Sequence, residues 1–92
     1  MRITKDMIER KIELINKVMG ANPETWTRTI DGLKANIGNY HMYECHRHFA
    51  LHKVANTGGG IISILSGTTK RELYVQVSAY LQGLEDKHWS KS

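Results

Sequence analysis

A chain of 92 residues lies below the usual domain size and has room for one hydrophobic core. It carries 13 Lys and Arg against 9 Asp and Glu, a net +4, with 40% hydrophobic and 24% charged residues, a composition that excludes a disordered or membrane-spanning protein. A single cysteine, Cys45, excludes an internal disulfide, and Met1-Arg2-Ile3-Thr4-Lys5 has no signal-like apolar run, so the expected setting is the cytoplasm with no membrane partner.

The first periodic segment predicts a helix over about 5–19. At 100° per residue Met7, Ile8, Ile12, Leu14, Ile15, Val18 and Met19 fall within about 160° of arc, while Asp6, Glu9, Arg10, Glu13, Asn16 and Lys17 cover the other side. Lys11 is the only charge inside the apolar arc, where its stem can lie along the core. Thr4 is placed to cap the N-terminus, and Gly20 with Pro23 behind it stops the helix.

Next comes Trp26 to Ile37, whose Asp31-Gly32 pair between β-formers predicts a two-residue type I′ hairpin. That register sets Ile30 opposite Leu33, Arg28 opposite Ala35 and Trp26 opposite Ile37, giving one apolar face and one made of Thr27, Thr29, Lys34 and Asn36. Tyr40–Glu44 and His48–Ala55 read as two more strands, broken around Cys45 to Arg47 and placed inside the sheet. After the turn Asn56-Thr57-Gly58-Gly59-Gly60 the β-branched run Ile61–Leu65 is a short strand.

Thr69-Lys70-Arg71-Glu72 matches a capping box, so a helix is expected over about 70–84 with Leu73, Tyr74, Val77, Tyr80, Leu81 and Leu84 on one face. Residues 85–92 read as a frayed tail. The order helix, sheet (about 26–65), helix predicts a single α+β domain over 1–92, with both terminal helices on the oily face of a small antiparallel sheet. Leu14, Ile15, Val18, Ile30, Leu73, Val77 and Leu81 are its expected core.

Four of the five histidines, His41, His46, His48 and His52, fall within twelve residues together with Cys45. His46, His48, His52 and Cys45 are the candidate metal ligands, and in an extended strand the three histidines share a parity. Yet His48 and His52 lie about 13 Å apart along a strand, too far for two ligands of one ion, so no metal or other cofactor is expected. Cys45 with His46 is no better as a nucleophile and base, because adjacent residues on a strand point to opposite faces. The carboxylates sit mostly on helix surfaces, and the glycine run leads into a strand instead of opening a helix, unlike phosphate-binding loops. The expectation is therefore a chain without a catalytic constellation.

Residues 1–20 carry +2, 21–66 carry +1 and 67–92 carry +1, so the basic excess is spread rather than striped. Arg28, Lys34, Arg47, Lys53, Lys70 and Arg71 are the candidate contacts if nucleic acid is the partner, and a stacking platform would need Tyr40, Tyr43 or Trp26 exposed among them. A third feature is the strand Ile61–Leu65, which lacks any charge or proline; at a sheet edge it would favour pairing with its own copy in a homodimer.

Read in order, Trp26-Thr27-Arg28, Asn36-Ile37-Gly38-Asn39-Tyr40-His41, Asn56-Thr57-Gly58-Gly59-Gly60-Ile61 and Thr69-Lys70-Arg71-Glu72-Leu73-Tyr74 resemble the succession in small bacteriophage- and prophage-encoded proteins, over about residues 7–84. Those proteins tend to have Gly and Tyr where this chain reads Glu44-Cys45-His46-Arg47-His48. The resemblance implies expression in a bacterial host and supplies no activity or catalytic residue. Together with the small size, which leaves little apolar material for a deep pocket, it points to a phage accessory protein that binds a host or phage protein. Nucleic-acid binding through a basic sheet surface is the alternative, ahead of metal binding or enzymatic activity.

Overall fold

The computed structural model describes residues 2–90, with side chains through Lys87. In chain order the elements are α1 (Lys5–Met19), β1 (Trp26–Thr29), β2 (Gly32–Ala35), β3 (Tyr40–Cys45), β4 (His48–Val54), β5 (Ile61–Gly67) and α2 (Lys70–Ser90). The fold is α+β. Its ends are set by the local signals: Thr4 Oγ1 accepts the Met7 N–H, Gly20 closes α1 in the left-handed conformation at φ 68°, and Thr69 Oγ1 accepts the Glu72 N–H at 3.0 Å. The Glu72 carboxylate turns back to accept the Thr68 hydroxyl at 2.7 Å, and that contact holds it below the usual carboxylate range.

Strands β3, β4 and β5 form an antiparallel sheet with β4 in the centre. Tyr40 and Met42, Phe49 and Leu51, and Leu65 face the helices, where they meet Ile8, Ile12 and Ile15 of α1 and Leu73, Val77 and Leu81 of α2. Burial of this cluster, at roughly 1.5–3 kcal/mol per large aliphatic side chain, is the main force holding the layers together. Lys11 behaves as its stem allows, half-buried with its ammonium 5.9 Å from the Tyr74 ring. Among the described residues both helices pack on this one face; on the opposite face Ala50, His52 and Val54 of the central strand are nevertheless buried.

Five expectations are corrected. The hairpin β1–β2 is a separate two-stranded sheet, and Ile30, Leu33 and Ile37 stand in solvent instead of in the core. Its register places Trp26 opposite Ala35 and Arg28 opposite Leu33, so the loop residues are Ile30 and Asp31, and Gly32 alone carries the positive φ, at 119°. β3 lies at an edge rather than in the interior; its outer main chain at Tyr40 is occupied by the Asn16 side chain, leaving no place there for β2 to pair. On α1 it is Asn16 that is buried, while Leu14 is about half-exposed and Val18 only packs at the core margin. Finally, α2 continues to Ser90, past the expected end at 84, with Gln82 Nε2 donating to Asp86 Oδ1 one turn on; residues 91 and 92 of the expected tail lie outside the described residues.

Candidate functional site

The sheet face turned away from the helices carries His41, Tyr43 and Cys45 from β3, His48, Ala50, His52 and Val54 from β4, and Ile61, Ser63 and Ser66 from β5, with no carboxylate among them; Ala50, His52 and Val54 are buried there. His41 lies directly across from His52, with ring centroids 5.8 Å apart and edge to face. Tyr43 stacks on the other side of His52 at 4.6 Å and 19°. Burial, then each imidazole's proximity to a second one, pushes both His41 and His52 below the ordinary histidine value, so both are neutral at pH 7. His41 Nδ1 sits 3.3 Å from Asn39 Oδ1; because Asn39 Nδ2 donates to Asn22 O at 2.7 Å, that oxygen is the acceptor and His41 Nδ1 carries the proton. His52 Nδ1 is buried with no hydrogen-bond partner. The neighbouring Cys45 thiol holds the Tyr43 phenol above its ordinary value.

Of the candidate metal ligands, His48, His52 and Cys45 share this face, whereas His46 is in the β3–β4 turn at φ 44°. Among the described residues no three of His, Cys, Asp or Glu converge on a point that could hold a metal ion. The neighbour of Cys45 across the ladder is His48, not His46, a pairing visible only once the turn is placed on His46 and Arg47. The glycine run is a packing device. Asn56 Oδ1 accepts the N–H groups of Gly58 at 3.0 Å and Gly60 at 2.9 Å, and a Cβ on Gly59 would come within 2.7 Å of the Trp26 ring. Backbone donors already engaged by Asn56 are not available to a phosphate.

The six basic candidates do not gather on one face. Arg28 and Lys34 lie on opposite faces of the hairpin, and Lys53 turns toward the helix layer with its ammonium 5.4 Å from the Tyr40 ring. Arg47 is in the β3–β4 turn, while Lys70 and Arg71 open α2 near the end of β5 that pairs with Phe49, so these three share one end of the sheet. Of the aromatic candidates, Tyr40 is buried, whereas Tyr43 and Trp26 are each more than two-fifths exposed.

The second surface is the apolar face of the hairpin, which the sequence placed in the core. Trp26 is 44% exposed, Leu33 65%, Ile37 63%, and Ile30 at the tip is fully exposed. The base of the hairpin is held firmly. The Ala35 N–H donates to Thr57 O at 3.1 Å, and the Asn36 N–H donates to Thr25 O at 2.9 Å. Asn36 Nδ2 reaches both Glu24 O and Thr27 Oγ1 at 2.9 Å, and the Trp26 ring rests on Gly59. Between α1 and the following loop lies a groove of about 700 Å³ lined by Glu13, Asn16, Lys17, Gly20, Ala21, Pro23 and Glu24, with no thiol, hydroxyl or imidazole in its wall.

No family model matches the chain, and no curated protein or solved structure does either. Nothing in these comparisons indicates a phage origin. No helix among the described residues is long and apolar enough to cross a membrane.

Proposed function

We propose that the chain is a non-catalytic protein-binding module, docking a partner through the apolar face of β1–β2. One observation supports this reading above the others: four large apolar side chains, Trp26, Ile30, Leu33 and Ile37, stand in water on and beside a hairpin whose base is fixed by five contacts, four hydrogen bonds and the packing of Trp26 on Gly59. Exposed large apolar side chains gathered on one hairpin, with Arg28 the polar residue on the face of Trp26 and Leu33, mark an interaction surface, and a rigid one loses little entropy on binding. The partner follows from the expected phage setting, a protein of the phage or its bacterial host. Capture from a host lysate with the tagged full chain should return a partner that Leu33→Asp and Ile37→Asp both lose. A partner retained equally by both variants would sink the reading.

A nucleic-acid reading is favoured by one observation, the exposed Tyr43 on a sheet face free of carboxylates with Arg47 at its end. Single-stranded bases stack on such rings at about 1–3 kcal/mol each. A mobility shift that weakens steeply between low and moderate salt, and that Tyr43→Ala abolishes, would put this reading first.

A further inference from the structure

We infer that a second copy of this chain pairs with the free edge of β5, antiparallel and across a two-fold axis. β5 is the terminal strand of the β3–β4–β5 sheet, and among the described residues no main-chain hydrogen bond reaches it from any element but β4. Its outward N–H and C=O groups form an unpaired row, which is a template for another strand. The strand reads Ile-Ile-Ser-Ile-Leu-Ser-Gly, with no charge or proline to discourage pairing, and Ile61 and Ile62 are 47% and 52% exposed. One protective device is present, a bulge where Ile64 is the extra residue between the pairs Leu51–Leu65 and His52–Ser63. It twists the strand locally, so the contact runs over the regular stretch before it, with Ile61 and Ile62 at the junction.

Two features select a second copy and a closed arrangement. The other edge of the sheet is guarded: Asn16 takes up the outward N–H and C=O of Tyr40, Glu44 brings a charge that pairs with Lys5, and α1 packs along β3. A sheet with one open edge completes itself by pairing open edge to open edge, which makes an isologous dimer, whereas two open edges would allow filaments. Charge placement selects the antiparallel sense. Lys70 follows β5 closely, so parallel copies would set the two Lys70 side by side, while antiparallel copies set each against the uncharged Asn56–Gly60 turn of the other protomer. The inference uses β5 alone and not the hairpin surface, so the two readings fail separately.

Sedimentation equilibrium of the full chain at micromolar concentrations should give a dimer, and Ile62→Lys should weaken association at least about tenfold. Ile62 is half-exposed, so that variant should keep its circular dichroism and its cooperative unfolding. Leu33→Asp should remain dimeric. Hydrogen exchange on the wild-type chain gives a readout that needs no variant: the outward amides of Ile61 to Ser63 should become protected as concentration rises. A monomer throughout, a dimer that Ile62→Lys leaves intact, or a dimer whose β5 amides exchange at a concentration-independent rate would each overturn the inference.

Discussion

Asn16, a residue of a helix, hydrogen-bonds the main chain of Tyr40 as a neighbouring strand would. Its Nδ2 donates to Tyr40 O at 3.0 Å and its Oδ1 accepts the Tyr40 N–H at 2.8 Å, both buried. One amide thereby satisfies two main-chain groups that no strand reaches, and fixes α1 against the edge of β3. Asn16→Leu should destabilise the fold by about 2–6 kcal/mol, because two buried groups lose their partner at once, at about 1–3 kcal/mol each. Asn16→Asp keeps the volume and an acceptor for the Tyr40 N–H but sets a buried carboxylate oxygen against Tyr40 O, so it too should lose stability at pH 7 and regain part of it in acid, where the protonated carboxyl can donate. Urea unfolding of the two variants checks this; an Asn16→Asp chain as stable at pH 7 as the wild type would mean that the donor to Tyr40 O contributes nothing.

The same residue explains where sequence reading stopped. Three of the four helix ends were legible because their causes are local: Thr4, Gly20, Thr69 and Glu72 act within a turn of themselves, whereas α2 runs past its expected end at 84. So were the strand parities that place His48 and His52 on one face and Phe49 and Leu51 on the other. Asn16 reads as a surface residue, since nothing in α1 reveals that Tyr40 will need its amide. Once that edge is taken, the hairpin that follows α1 in the chain cannot join β3, and Ile30, Leu33 and Ile37 are left in solvent against every expectation from their hydrophobicity. The cross-strand contact of His41 with His52 likewise depends on a register that no local signal sets.

Replacing Gly59 by alanine should loosen the hairpin. Gly59 has φ 95°, and an added Cβ would meet the Trp26 ring at 2.7 Å, so either the ring moves or the backbone strains. A loss of about 1–3 kcal/mol is expected from the backbone conformation alone. Limited proteolysis should then cut within β1–β2 faster than in the wild-type chain while the core resists; unchanged cleavage would show that the indole does not anchor the hairpin.

Acid should weaken the fold through the imidazole pair. His41 and His52 are held below their ordinary 6.5, so in the window just under that value the unfolded chain binds more protons than the folded one. The stability they confer is complete above about pH 6.5 and is lost as pH falls through their folded values. Denaturant midpoints should therefore drop between about pH 7 and pH 5, and His52→Gln should flatten the drop. A midpoint that stays level, or a wild-type slope retained in that variant, would place the acid sensitivity elsewhere.

At the alkaline end the sign reverses. Burial, then the 3.1 Å contact with the Tyr40 hydroxyl, pushes Tyr80 from its ordinary 10.0 up to about 12. Its contribution is full below 10.0 and is lost as pH rises through about 12. A step near pH 12 should appear in a spectrophotometric titration, and it should vanish in Tyr80→Phe. A late step that persists in the variant would belong to another ring.

The β3–β4 turn is the place where this chain departs from its own best geometry. Cys45 pairs with His48, so His46 and Arg47 form a two-residue loop, and both have positive φ, 44° and 63°. A type I′ turn demands that conformation at both positions, and Asn-Gly meets it with little strain, whereas a side chain with a full Cβ costs about 1–2 kcal/mol in the left-handed region. The double variant His46→Asn, Arg47→Gly should raise stability by about 1–2 kcal/mol, less than the sum of two penalties because glycine also gains freedom in the unfolded chain. Thermal or urea unfolding reads this directly. Single variants sort the contributions, with Arg47→Gly expected to give the larger part, since it removes the Cβ outright while asparagine only tolerates the angle. A double variant no more stable than the wild type would mean that His46 and Arg47 make contacts in the folded state worth as much as the strain they impose.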